Sequence, residues 1–158
     1  MIFLTVGTLF PFDRLVKAVD DAIGNLWIKQ KVFAQIGKTE FKPRNMEYID
    51  MLDTNKFISM VKDSEYLISH AGIGSIILAL EHNKPLLVMP RVKRLREHVN
   101  DHQIATAKKF EEIGLILAVY DVKDLPDGIS KLKKFVPRTR NTYPDAVVDR
   151  INHFLDSL

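Results

Sequence analysis

The sequence predicts an α/β domain: a parallel sheet covered by helices on both faces. Three observations carry this. Short runs such as Ile2–Val6 and Leu86–Met89 are apolar throughout instead of alternating, as in strands buried on both sides. Other segments space their apolar residues at helical intervals. The two kinds of segment alternate along the chain, so right-handed crossovers between parallel strands are expected.

Ile2–Val6 is the first strand, closed by Gly7-Thr8. Pro11 suits a first helical turn, and Phe12, Leu15, Val16, Val19 and Ile23 give Pro11–Ile23 one apolar face, stopped at Gly24-Asn25. Lys31–Ile36 is a second strand, followed by a polar loop over Lys38–Asn45. Glu47–Met51 reads as a short strand; an antiparallel edge here would make the fold α+β instead. Asp53 or Thr54 caps a helix through Val61, with Phe57, Ile58 and Val61 inward. Tyr66–Ser69 is a strand, Gly74–His82 a helix and Leu86–Met89 a fully apolar strand. The charged segment Arg91–Asn100 reads as an exposed loop. A helix from Asn100 or Asp101 to Ile113 draws its apolar face from Ala105, Ala107, Phe110 and Ile113. Leu115–Val119 is a last strand, and helices are expected over Leu125–Phe135 and Asp145–Leu158.

The chain of 158 residues suits one domain with a real core. No apolar run approaches the ~20 residues needed to span a bilayer, and the start lacks the basic region of a signal peptide. Without cysteine there are no disulfides and no thiolate metal sites, which fits a reducing, cytoplasmic setting. The net charge is +3. Basic residues cluster at Lys84, Arg91, Lys93, Arg94 and Arg96, and again at Lys131, Lys133, Lys134, Arg138 and Arg140. Such clusters serve as solvated surface or as contacts for phosphates, an acidic partner or an anionic membrane. Nucleic-acid binding is disfavoured, since aromatic and basic residues do not interleave.

In open α/β sheets ligands bind at the carboxyl ends of the strands. His70-Ala-Gly-Ile-Gly-Ser75 is the strongest loop of this kind. Gly72 and Gly74 permit unusual torsions and close approach, the following helix presents unpaired N–H groups, and Ser75 adds a hydroxyl. The run is neither the full dinucleotide fingerprint nor a Walker A loop. Gly7 and Thr8 border the same crevice if the first strand lies beside the strand that ends at this turn. Glu97-His-Val-Asn-Asp-His-Gln103 holds every polar type useful for sugar hydroxyls. His98 and His102 are four apart, but the order is not His-Glu-x-x-His and the helix starts after His98, so a metal site is not expected. No nucleophile–base set and no pair of acidic catalysts for glycoside hydrolysis can be assembled.

Phe3-Leu-Thr-Val-Gly-Thr8 with Phe12-Asp-Arg-Leu-Val16, then Gln35-Ile-Gly37, Ile68-Ser-His-Ala-Gly-Ile-Gly-Ser75, Lys84-Pro-Leu-Leu-Val-Met-Pro-Arg91 and Asn100-Asp-His-Gln103 follow one family's order. Over roughly residues 1–115 the chain resembles the C-terminal, donor-binding half of family 28 glycosyltransferases. It is most like the single-domain kind, found as bacterial exopolysaccharide glycosyltransferase subunits and as the catalytic half of the dolichol-linked N-acetylglucosaminyltransferase.

The resemblance implies a Rossmann-like parallel sheet flanked by helices, the single C-terminal-type half of a GT-B glycosyltransferase, with residues 1–158 forming one nucleotide-sugar-binding domain. Gly72, Gly74 and Ser75, with Gly7 and Thr8, would lie by the diphosphate of a UDP-sugar. Met89 and Arg91 would lie near the uracil. Asp101, His102 and Gln103 would contact the donor sugar, Gln103 foremost. His70 matches a family position and is a candidate for donor contact, for catalysis as a general base, or for holding the turn through hydrogen bonds; the catalytic base itself is not identified. Relatives often carry a ribose-binding glutamate where Leu78 stands here, so either Glu81, one turn later, substitutes from a shifted angle, or backbone groups and another side chain hold the ribose. The reaction implied is direct displacement at the anomeric carbon, transferring a hexose-type sugar without metal or cofactor to a lipid-linked acceptor. A separate membrane-associated subunit would bind that acceptor and recruit this cytoplasmic chain to the membrane face, the C-terminal helix helping to dock it. Self-association is a further option. The competing reading is a non-catalytic nucleotide-binding module that regulates a partner.

Overall fold

The structure, a computed structural model, describes residues 1–138. The helix expected over Asp145–Leu158 lies outside them. Six strands, β1 (Ile2–Thr5), β2 (Val32–Gln35), β3 (Glu47–Ile49), β4 (Tyr66–His70), β5 (Leu86–Met89) and β6 (Leu117–Ala118), form one sheet in the order β3-β2-β1-β4-β5-β6. Every neighbouring pair is parallel. Between them run α1 (Asp13–Gly24), α2 (Thr54–Asp63), α3 (Ile73–Glu81) and α4 (His102–Glu112), with α5 (Leu125–Leu132) after β6.

The uniformly apolar strands have a simple cause. Ile2, Leu4, Ile68, Leu87 and Met89 point to one side, where α1 and α5 bring Leu15, Val16, Val19, Leu125, Ile129 and Leu132. Phe3, Leu67, Leu86 and Val88 point to the other, against Val61 of α2, Ile76 and Ala79 of α3 and Ala107 of α4. Alternate side chains therefore enter two different cores, and neither face is left to water.

Several expectations change. β3 pairs parallel to β2, Phe33 opposite Glu47, which removes the antiparallel edge and the α+β alternative. The last strand keeps only Leu117–Ala118 in the ladder, although Val119 N–H still donates to Val88 O at 2.9 Å. On α4, Ala105 and Ile113 are exposed, and its inner face is made by Gln103, Ala107 and Phe110. The cap of α2 is Asp53, whose carboxylate accepts from Lys56 N–H at 2.9 Å. The polar loop before β3 is tied down by buried Asp20, which accepts from the N–H groups of Arg44 and Asn45 at 3.0 and 2.7 Å. Among the described residues no helix is long and apolar enough to cross a membrane.

Candidate functional site

The strand order reverses between β1 and β4: the chain runs outward from β1 through β2 to β3, then returns to build β4 on the other side. Loops leaving the carboxyl ends of these two strands diverge to opposite faces and leave a crevice, the usual ligand site of such sheets. Here it is a cavity of about 440 Å³, a size suited to a nucleotide-scale ligand. Of the residues singled out in the sequence, Gly7, Thr8, His70, Gly74, Ser75, Arg91 and Gln103 line it.

The floor is the turn into α3. Gly72 is the N-cap, and no side chain caps the helix. The first intrahelical bond runs from Ile76 N–H to Gly72 O, so the N–H groups of Ile73, Gly74 and Ser75 lack helical acceptors. Helix ends of this kind are suited to an anion. The glycines serve differently from expectation. Gly72 has φ −81°, an ordinary value, and Gly74 lies within the helix. What Gly72 supplies is room: a Cβ there would lie 2.2 Å from His70 Nε2. Gly7, at φ +75°, faces the same imidazole, and its Cβ would lie 2.9 Å from His70 Cε1. At Gly74 a Cβ would meet no protein atom within 4 Å; it would occupy the cavity instead.

His70 is wedged between these two glycines, its Nδ1 3.2 Å from Ser69 Oγ. Burial, reinforced by the nearby Arg91 charge, pushes its pKa down to about 3. The ring is neutral at physiological pH, and so weak an acceptor is a poor general base there.

The opposite wall comes from the β5–α4 connection, which contains a 3-10 turn over Lys93–Leu95. Arg91, expected on an exposed loop, is buried. Its Nη2 donates to Val6 O and Phe10 O, both at 2.7 Å, and its Nε to Pro11 O at 3.4 Å. Burial lowers its pKa to about 10, opposed by the Glu97 charge, so it stays cationic at neutral pH. Gln103, also buried, accepts from Arg91 N–H through Oε1 at 3.1 Å, which directs its NH₂ group to the cavity. Asp101 and His102 are exposed and do not line the cavity. The Asp101 carboxylate accepts from Lys93 N–H at 2.7 Å, and the His102 ring contacts Asn100 Oδ1. His98 stands in the wall, its ring 4.8 Å from that of Phe10 and 4.6 Å from that of His102.

Two sequence expectations do not fit this geometry. Met89 is fully buried in the core beneath the site, its sulfur facing Arg14 Nη1, so its side chain cannot reach a base. Glu81 is the last residue of α3, roughly 12 Å along the axis from Ile73 at ~1.5 Å per residue, and lies outside the cavity. Leu78 packs in the core on that face.

The sequence reading missed the third side, made by Gln35, Leu52, Thr54 and Phe57. Gln35 is buried at the carboxyl end of β2 and accepts from Leu52 N–H through Oε1 at 2.9 Å, so a second NH₂ group faces the cavity. A glutamine ending an apolar strand at a binding edge was the available signal. Among the described residues no group of three His, Asp or Glu is placed to hold a metal. Glu97 instead accepts from Arg14 at 2.6 and 2.8 Å and from Val92 N–H at 2.9 Å.

Comparison with known proteins agrees with this architecture. The UDP-N-acetylglucosamine transferase subunit ALG13 of Cryptococcus neoformans is 32% identical over 107 residues, covering 66% of this chain and 51% of that protein. Human UDP-N-acetylglucosamine transferase subunit ALG13 is 30% identical over 122 residues, covering 72% and 10%. The chain thus spans about half the length, or less, of the curated relatives it matches. An NMR solution structure of ALG13 superposes with TM-score 0.63 over 91% of both chains, at 22% identity. The fold is that of the C-terminal half of a GT-B glycosyltransferase. The family model described as glycosyltransferase family 28 C-terminal domain matches residues 1–148, and the chain belongs to that family.

Proposed function

We propose that this chain is the donor-binding subunit of a glycosyltransferase that transfers a hexose-type sugar from UDP-sugar to a lipid-linked acceptor. The observation that carries the reading is one cavity joining a bare helix N-terminus to two buried glutamines, each pinned at its Oε1. The diphosphate sits on the N–H groups of Ile73–Ser75, where charge on the departing UDP is stabilised without reorganisation. The base lies against Leu52 and Phe57, with Gln35 donating to a uracil carbonyl. This replaces Met89 as the base-facing element. The sugar faces Gln103 and His98.

His70 holds the turn and takes up no proton in catalysis. The base that activates the acceptor comes from a second subunit, membrane-associated and carrying the acceptor site, as family membership and the similarity to transferase subunits suggest. That subunit places the cytoplasmic chain at the membrane face. A second reading is a nucleotide-binding regulator, since the cavity would hold a nucleotide whether or not transfer follows. Transfer from UDP-N-acetylglucosamine by the paired subunits separates the two: turnover is expected, and binding without turnover on any lipid acceptor supports the regulator. For the donor site, calorimetry of Gln103→Ala should show roughly tenfold weaker UDP-N-acetylglucosamine binding, about 1–1.5 kcal/mol, with UDP little changed. Equal losses for both ligands would remove Gln103 from the sugar.

A further inference from the structure

Two arginines tie the connections beside the cavity in opposite directions: Arg91 lines the cavity, and Arg14 lines a separate depression next to it. Arg14, in the first turn of α1, reaches the β5–α4 connection: its Nε and Nη2 donate to the two carboxylate oxygens of Glu97 at 2.6 and 2.8 Å, and Nη2 also to Pro90 O at 2.9 Å. Arg91, just after β5, reaches back to the β1–α1 connection and holds the carbonyls of Val6, Phe10 and Pro11. Both guanidinium groups sit over the ring of fully buried Phe12, at 5.3 and 4.8 Å from its centre. Glu97 closes the device. Its carboxylate takes the paired Arg14 bonds and Val92 N–H, and with a side chain 11% exposed it has little surface left for a ligand.

We propose that Arg14 and Arg91 form a reciprocal clamp that positions the sugar-facing wall, His98 to Gln103, over the phosphate turn, with Glu97 as its internal counter-ion. A guanidinium held by three carbonyls from one loop cannot swing to follow a phosphate. Its place fixes Gly7–Phe10 instead. Arg14 is the mirror element: its planar fork matches the Glu97 carboxylate and sets where the β5–α4 connection begins. Each loop is therefore anchored by a residue of the other, and the separation of the two walls is fixed by side chains of definite length. Displacements of about 1 Å in such supports are costly to reactive geometry. Arg14 and Glu97 do not line the cavity and act on it only through the β5–α4 connection, whereas Gln35, Leu52 and Phe57 belong to β2 and the region around α2. They are positioning residues, and this assignment rests on the donor-binding reading above.

Arg14→Met removes the fork while keeping an unbranched apolar stem. Hydrogen exchange of the full chain, followed by mass spectrometry, needs no ligand. Exchange should rise over residues 92–101 and stay unchanged over residues 73–81. Calorimetry with two probes then reads the consequence: UDP-N-acetylglucosamine should weaken at least tenfold and UDP less than threefold. Arg14→Lys, which keeps the charge without the fork, should fall between wild type and Arg14→Met in both measurements. Exchange that is unchanged or raised evenly along the chain, or equal weakening of both ligands, would overturn the clamp. Failure of wild-type protein to bind either nucleotide would overturn the donor reading instead, and the exchange result would still decide the clamp.

Discussion

The two walls of the cavity are made by opposite means. The turn from β4 into α3 is built by removing atoms: glycines on both sides of a neutral imidazole, and a helix end with no cap. The facing β5–α4 connection is built by adding charges that satisfy one another, Arg14 with Glu97 and Arg91 with backbone carbonyls. The contrast teaches how the site can receive an anion although its lining arginine is already engaged. Unpaired N–H groups on one wall attract the anion, and the Arg14–Glu97 pair with the carbonyl-held, still cationic Arg91 makes the other wall rigid.

The comparison breaks most sharply at Gly72. Its Cβ would lie 2.2 Å from His70 Nε2, so Gly72→Val should cost about 2–3 kcal/mol in urea denaturation, in the range of overpacking in a filled site. It should also abolish UDP binding, whereas a purely torsional role for this glycine would not require the clash. Next in size is the pH dependence set by His70. Its folded pKa, about 3, lies below the ordinary 6.5. The unfolded chain therefore binds a proton below pH 6.5 that the folded chain refuses, and stability falls as pH drops through that window toward 3. His70→Gln should flatten this acid limb, by on the order of 2 kcal/mol between pH 6.5 and 4. An unchanged slope would show that the imidazole takes up its proton in the folded state.

The smallest expected effect on stability is at Gly74, and it has the opposite sign. Gly74→Ala adds a methyl group into open space within a helix, so stability should rise by roughly 0.5 kcal/mol. UDP affinity should nevertheless drop about tenfold, because that space belongs to the ligand. A variant more stable and equally tight would separate the helix end from the site.

The same contrast explains what could be read from the sequence. The turn from β4 into α3 was legible because its parts are contiguous: a strand, two glycines and a serine opening a helix. Parallel strands were legible because burial on both faces leaves no polar alternation. The burial of Arg91 was not, although the family motif put this residue near the ligand, since its partners Val6 and Phe10 are 85 and 81 residues away and the charged run around it resembles a solvated loop. The Gln35, Leu52 and Phe57 side emerges only when β2 is laid beside β1. Met89 and Glu81 were placed at the site by analogy with family motifs. Strand register sends one into the core, and helix length carries the other away.

A diphosphate seat on the helix end at the β1–β4 switch point can be read by titrating isotope-labelled protein with UDP and following backbone amides by NMR. Ile73, Gly74 and Ser75 should shift most, together with Gly7 and Thr8. Saturable binding that leaves these five amides in place, or no binding at all, would contradict it.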